Sequence, residues 1–337
     1  LLDESNHPAP RLALVLGSGG VRSIAAVGIV EVLAAEGLQP DLIVGCSSGA
    51  LFGATIAMGM SSREALDAAT SLWSAERLRE NRGERPEVSP SSAPVQSSTA
   101  SSAGARSGRA VDLLSASELT QQRRWRAYAQ LVAPRWFGFD AGFALLDDRY
   151  IAQRIQRAFG DRRIEDLPTP LRVVATEAAS GERVVLQRGV LAQALRASLA
   201  VPVMFPSVQI DGRRLVDGVM SDPLPVGVAA DAAVVLTLGF KGAMPRRVNR
   251  ASRLVAQAST ALINNLQQAR VDAARGAGVR VLAFDLALDR PVGLWETAAM
   301  PYLFEAGRRA AKAQLAQIAA LSRHRLRPTA DLRSIAS

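Results

Sequence analysis

The 337-residue chain predicts an α/β fold built on a parallel sheet with crossover helices. Three observations predict it. Short apolar runs alternate with segments of helical periodicity. Two strand–loop–helix units fall within about the first 60 residues. Both of their loops are rich in glycine and serine, which suits a tight turn from strand into helix.

RLALVL, residues 11–16, reads as a buried strand running into GSGG at 17–20. A helix follows from Ser23 to Ala35, where Ile24, Val27, Ile29, Val30, Leu33 and Ala34 recur at helical spacing and Gly37 marks the stop. PDLIVG, 40–45, is the second strand, and SGALFGATIAMGM the second helix. Between 80 and 112 the chain turns to Ser, Ala, Pro, Gly and charge, the composition of a disordered insertion within a domain. Residues 116–146 read as a helical, cap-like segment. Within it, 123–145 sets Trp125, Trp136, Phe137, Phe139 and Phe143 among Arg123, Arg124, Arg126 and Arg135, a mixture that suits core packing or a bilayer interface.

From 164 strand and helix alternate again, through LRVVATEA, a hairpin-like ERVVLQRG, the helix LAQALRASLA, VQIDGRRLVDG and the buried strand AAVVLTLGF at 232–240. A helix at about 250–275, the strand VRVLAFDL at 279–286 and an alanine-rich amphipathic helix at about 300–321 follow. The expected organisation is one domain over 11–240, a C-terminal helical extension over 241–322 packing on it, and tails at 1–10 and 323–337.

Composition narrows the function classes. The chain is 48% hydrophobic and 21% charged, an ordinary globular profile, and no run of about 18 uncharged apolar residues predicts a membrane span. The net charge of +9 is carried almost wholly by arginine and favours anionic surfaces, yet no nucleic-acid-binding module is present, so no nucleic-acid partner is expected. Cys46 is the sole cysteine, which rules out an intrachain disulfide and argues against a thiolate metal site; no metal or other cofactor is expected. The expected location is the cytoplasm, peripheral at a membrane, with an exported form left open because the chain starts at Leu1 rather than Met.

GCSSG, residues 45–49, fits G-x-S-x-G with Ser47 at its centre and Gly45 and Gly49 flanking it. Placed after a strand and before a helix, it reads as a sharp elbow that holds a serine hydroxyl above the sheet edge, which makes Ser47 the nucleophile candidate. Ser48 falls in the first helical turn, where serine is an ordinary amide cap. Cys46 reads as a small side chain tucked under the turn. The loop Gly17-Ser18-Gly19-Gly20-Val21-Arg22 occupies the equivalent strand-to-helix position, where backbone N–H groups point at an anion. A dinucleotide fingerprint would need glycine where Arg22 stands, and a phosphate-binding Walker loop would need Gly-Lys-Ser/Thr. An oxyanion site for a tetrahedral acyl intermediate explains both loops together.

The base is less obvious. His7 and His324 lie in the two tails, so a Ser-His-Asp triad is not expected, and the carboxylates near a sheet edge are Asp211, Asp217 and Asp222. Asp211-Gly212 looks like a two-residue hairpin turn. Asp217 lies six residues further, at the opposite end of the strand, with Gly218 allowing a tight turn, and Asp222 before Pro223 reads as a helix-start residue.

GSGGVRS, GCSSGA and ASLAVPVMFPSVQIDGRRLVDGVMSDPLPV, in that order with LPTPLRVVATEAASGERVVL between the last two, resemble the patatin-like phospholipases, particularly their compact bacterial members. The resemblance covers about residues 11–240 and implies a three-layer α/β/α fold with a mainly parallel central sheet. It also implies a Ser-Asp dyad in which Ser47 is the nucleophile and Asp217 accepts its proton, with the loop around Gly19 and Gly20 supplying oxyanion N–H groups. The implied activity is lipid acyl hydrolysis of the phospholipase A, lysophospholipase or esterase type through an acyl-enzyme, on a lipid ester substrate met by peripheral membrane contact. Ser18 and Ser23 stand where the family commonly has glycine, and Val219 adds a branched side chain after Asp217-Gly218. Those departures motivate an alternative, a patatin-fold lipid-binding or regulatory protein without turnover.

Overall fold

The structure, a computed structural model, describes residues 11–72, 144, 149–242, 244 and 251–323. The insertion expected at 80–112, nearly all of the cap-like segment at 116–146, the aromatic and arginine cluster within it and both histidines lie outside the described residues.

Among the described residues eight strands form one mixed sheet. In chain order they are β1 (Leu12–Leu16), β2 (Leu42–Cys46), β3 (Leu171–Glu177), β4 (Arg183–Leu186), β5 (Val208–Ile210), β6 (Arg213–Asp217), β7 (Val234–Leu238) and β8 (Val281–Ala283). Hydrogen-bonded neighbours follow the series β5-β6-β3-β2-β1-β7-β8, with β2 and β6 end to end on one edge of β3 and β4 paired to its other edge. β3, β2, β1, β7 and β8 run parallel to their neighbours in that series, whereas β4, β5 and β6 join by antiparallel pairing. The helices are α1 (Ala25–Ala35), α2 (Ser48–Ala57), α3 (Ser62–Leu72), α4 (Arg149–Phe159), α5 (Leu191–Leu199), α6 (Ala251–Gly276) and α7 (Met300–Arg323).

β1 shows why its sequence is apolar throughout. Leu12, Leu14 and Leu16 enter a cluster with α1, α2 and α7 on one face of the sheet, while Ala13 and Val15 pack with Val44, Val226, Val271 and Ala274 on the other. A strand covered on both faces has no solvent side to reserve for polar residues. The result is three layers, α/β/α. Among the described residues no helix is long and apolar enough to cross a membrane.

Two elements start or stop where local chemistry dictates. α1 is preceded by a short 3-10 turn, Gly20–Ile24, and ends at Gly37, whose φ of +69° lets its N–H and that of Leu38 reach the carbonyls of Ala34 and Leu33. Asp211 and Gly212, at φ 49° and 75°, form the two-residue turn between β5 and β6, so Asp211 is a turn residue.

β8 adds a strand beside β7, and α7 returns across the sheet to lie on α1. That contact depends on two glycines. A Cβ on Gly307 would sit 2.0 Å from the Ala25 carbonyl oxygen, and one on Gly28 would sit 2.2 Å from that of Phe304. Gly307→Ala and Gly28→Ala are therefore each expected to lower the unfolding free energy by about 1–3 kcal/mol, as read by urea denaturation, through overpacking. Gly276→Ala at the end of α6, where a Cβ meets nothing within 4 Å, is the control and should leave stability unchanged or slightly raised.

Candidate active site

Two strands bring the sequence-predicted serine and aspartate together. Cys46, the last residue of β2, pairs with Val174 of β3, and Asp217, the last residue of β6, pairs with the next residue, Ala175. Both lie on the edge of β3 opposite β4, which pairs Val174 with Val185 and Ala175 with Val184. Ser47, one residue past Cys46, donates its hydroxyl hydrogen to Asp217 Oδ2 at 2.7 Å.

Ser47 sits at φ 56°, ψ −127°, a conformation in which a non-glycine backbone is strained. Its neighbours must yield space. A Cβ on Gly45 would lie 2.4 Å from the Ala50 Cα, and one on Gly49 would lie 2.3 Å from the Leu16 carbonyl oxygen. Gly218 meets a similar demand, because a Cβ there would lie 2.4 Å from the Val174 carbonyl oxygen and 3.0 Å from Cys46 Sγ. Close approach to β3, and not a positive φ, is what requires glycine after Asp217.

Asp217 is fully buried. Its Oδ1 accepts the Val219 N–H at 2.9 Å, and burial pushes its pKa up to about 7 against the opposing pull of the Val219 and Ser47 hydrogen bonds. The branched Val219 thus contributes its N–H to the carboxylate while its side chain borders the cavity. Behind the pair, Thr176 Oγ1 donates to the Asp217 carbonyl at 2.9 Å and bonds Ser221 Oγ at 2.7 Å.

Asp222 departs from its expected role. No helix starts there; its carboxylate is fully buried and pairs with Arg183 at 2.6 Å and Arg270 at 3.5 Å. The two arginines compensate the buried charge of Asp222, and burial raises its pKa while they lower it. Cys46 is buried with its thiol pushed well above the usual range, first by burial and then by the nearby Asp217 and Asp222 charges, which leaves it a packing residue.

Ser48 also departs from its expected role. It does not cap α2: its Oγ accepts the Gly19 N–H at 3.0 Å and bonds Ser23 Oγ at 2.9 Å. β1 ends so close to the elbow that the glycine loop reaches this hydroxyl from outside the helix. The other loop groups are placed as follows. Gly17 N–H donates to Leu238 O and Ser18 N–H to Pro223 O, so with Gly19 the first three amides of the Gly17–Arg22 loop expected to face an anion are already engaged. The Gly20 N–H and that of Ser48, the first residue of α2, meet no protein acceptor among the described residues. Arg22 Nε donates to the Gly19 carbonyl at 3.0 Å and its guanidinium lies 5.0 Å from the centre of the Phe240 ring.

Ser198 was not legible as a site residue. Fully buried on α5, it accepts the Ser47 N–H at 2.8 Å and donates to the Val174 carbonyl at 2.7 Å, tying the elbow to β3. A lone serine on an alanine-rich helix carries no sequence signal of that contact.

Ser47 and Asp217 open onto a cavity of about 290 Å³ whose walls include Leu51, Leu72, Ile151, Leu199, Phe205 and Leu294. A polar pair faces an apolar recess.

The sequence pattern of the patatin-like phospholipases matches residues 14–230. An uncharacterized NTE family protein of Mycobacterium tuberculosis is 30% identical over 243 residues, covering 71% of this chain and 52% of that protein. A second from the same organism is 27% identical over 217 residues, covering 64% of this chain and 28% of its own length. The chain thus spans about half the length, or less, of the curated relatives it matches. Among solved structures, VipD from Legionella pneumophila aligns at TM-score 0.41 and 13% identity over 91% of this chain and 67% of its own. The type III effector ExoU aligns at TM-score 0.35 and 12% identity over 92% of this chain and 54% of its own.

The raised pKa of Asp217 has a consequence for stability. Below about pH 4 the carboxyl is protonated folded and unfolded alike. Between about 4 and 7 the folded state holds one more proton than the unfolded, so stability falls as pH rises; above about 7 the cost of burying the charge is constant. Asp217→Asn, which keeps the shape, accepts the Val219 N–H through its oxygen and reverses the Ser47 bond by donating from Nδ2, is expected to stabilise the fold at pH 8 by about 2–4 kcal/mol, with the gain shrinking toward pH 4. Denaturant midpoints of the two proteins across that range are the measurement.

Proposed function

The chain belongs to the patatin-like phospholipase family, and from that premise we propose that it is a serine lipid acyl hydrolase of the phospholipase A, lysophospholipase or esterase type. The observation that carries the proposal is the 2.7 Å bond from Ser47 to a buried Asp217 whose pKa lies at about 7. A carboxylate in water is a poor base for a serine hydroxyl; burial raises its basicity to match neutral pH.

In the proposed cycle Ser47 Oγ attacks the ester carbonyl while its proton passes to Asp217 Oδ2. The carbonyl oxygen takes up the negative charge and is held by backbone N–H groups near the start of α2, whose dipole favours an anion there. Collapse of the tetrahedral intermediate returns the proton to the departing alkoxide oxygen and leaves an acyl ester on Ser47. Water, losing a proton to Asp217, then cleaves that ester and restores the serine. The apolar walls around Leu51, Leu199 and Phe205 suit the acyl chain.

Both Ser47→Ala and Asp217→Asn are expected to lower kcat/KM on short p-nitrophenyl esters by about 10²–10⁴-fold or more. In the wild type, kcat/KM should rise with pH through about 7 as Asp217 ionises. A fluorophosphonate that labels wild type but not Ser47→Ala separates this reading from that of a lipid-binding protein without turnover; no labelling of either favours the latter.

Peripheral membrane contact rests on different residues. Leu294 and Trp295 border the cavity and are 49% and 37% exposed, so the recess opens through an apolar rim. Leu294→Ser combined with Trp295→Ala is expected to reduce co-sedimentation with phosphatidylglycerol vesicles about threefold or more. Unchanged sedimentation would remove this rim as the contact.

A further inference from the structure

Two serine hydroxyls join the glycine loop to the elbow, and neither bonds Ser47 or Asp217. The Gly19 N–H donates to Ser48 Oγ at 3.0 Å, the Ser48 and Ser23 hydroxyls are 2.9 Å apart, and Ser23 Oγ lies 3.5 Å from the Gly17 carbonyl oxygen. Ser23 and Ser48 are 0% and 2% exposed. One direction of donation satisfies every group. Ser48, accepting from an N–H, gives its own proton to Ser23, which gives its proton to the Gly17 carbonyl. The strap therefore closes on both ends of the segment Gly17–Gly19.

We propose that Ser23 and Ser48 are positioning residues that set the oxyanion site, by holding the loop and by taking up the Gly19 N–H, so that the amides of Gly20 and Ser48 receive the developing oxyanion. The inference rests on Ser47 as nucleophile. A donor useful to a transition state must stand about 3 Å from where charge will appear, before it appears. A loop with three glycines in four residues does not hold such a position by itself.

Four engaged amides leave a definite remainder. Gly17, Ser18 and Gly19 donate to Leu238, Pro223 and Ser48, and Val21 donates to Leu294 at 3.0 Å. Gly20 lies between engaged neighbours, at φ 61°, and borders the cavity with Ser47. That positive φ turns the chain sharply just after the strapped amide. The Ser48 N–H opens the 10-residue α2, where the first amides have no intrahelical acceptor. One amide from the loop and one from the residue after the nucleophile make a complete pair of donors. Ser23, which stands at a family glycine position, and Ser48, which does not cap its helix, are thereby explained by the same bond.

The test uses the ¹⁵N-labelled 337-residue chain and reads the strap directly. Gly19 amide exchange should be slow in wild type and about tenfold or more faster in Ser48→Ala. After phosphonylation of Ser47 by a fluorophosphonate, the Gly20 and Ser48 amide protons should move downfield while that of Gly19 stays in place. In kinetics, Ser48→Ala should lower kcat about 10–100-fold with KM changed less than about twofold, and Ser23→Ala should lower kcat about 3–10-fold. Unaltered Gly19 exchange in Ser48→Ala, or a phosphonate-induced shift at Gly19 in place of Gly20, would overturn the proposal. Failure of the reagent to label wild type would defeat the nucleophile assignment instead, and the exchange data would still decide the strap. Should Ser48→Ala not fold, Ser23→Ala, which removes one buried hydroxyl without adding volume, gives the kinetic readout, and the phosphonate shifts in wild type still decide which amides face the oxyanion.

Discussion

Two strands meet carboxyl end to carboxyl end on one edge of β3, and the site depends on that collision. β2 runs with β3 and stops opposite Val174; β6 runs against it and stops opposite Ala175. Both chains must leave the sheet at once, and they leave on opposite faces. Ala50, Leu51 and Phe52 of α2 enter one core cluster, whereas Val219, Leu224 and Val226 pack in the other. The strained φ of Ser47 and the close approach of Gly218 to the Val174 carbonyl are the two backbones making their exits. A serine and an aspartate placed at those exits come within hydrogen-bond distance with no further device.

The same arrangement concentrates cost. Two carboxylates, Asp217 and Asp222, are removed from water within a few residues of each other, and they are treated differently. Asp222 is neutralised by Arg183 and Arg270. Asp217 receives only a hydroxyl and an amide, and its pKa is raised accordingly. A charge partner would have stabilised Asp217 and made it a weaker base. Leaving it unpaired trades folding stability for basicity, as functional sites commonly do.

The chain beyond the matched residues 14–230 also shapes the site. Phe240 lies against Gly19, where a Cβ would touch its ring at 2.2 Å, and the Leu294 carbonyl holds the Val21 N–H. Ile263 and Trp295 border the cavity. The glycine loop is therefore clamped between the elbow on one side and segments from the last hundred or so residues on the other. α7, docked on α1 through Gly28 and Gly307, fixes where those segments lie.

The α/β class, the strand-to-helix position of both glycine-rich loops, the choice of Ser47 over Ser48 as the elbow residue and the turn role of Asp211 follow from local pattern. Each rests on residues near one another in the chain, where periodicity and turn chemistry act. The partners of Ser48 and Asp222 do not. A hydroxyl or carboxylate bonds whichever group the fold brings to it, and Gly19, Ser23, Arg183 and Arg270 lie 29, 25, 39 and 48 residues away along the chain. Ser198, 151 residues from Ser47, was silent for the same reason. By itself the sequence determined that a serine would be held above a sheet edge beside a glycine loop. Local pattern left Asp211, Asp217 and Asp222 open and the family resemblance alone pointed to Asp217; the tertiary structure sets Asp217 against that serine and ties the loop down by Ser48, because register along β3 sets which distant side chains meet.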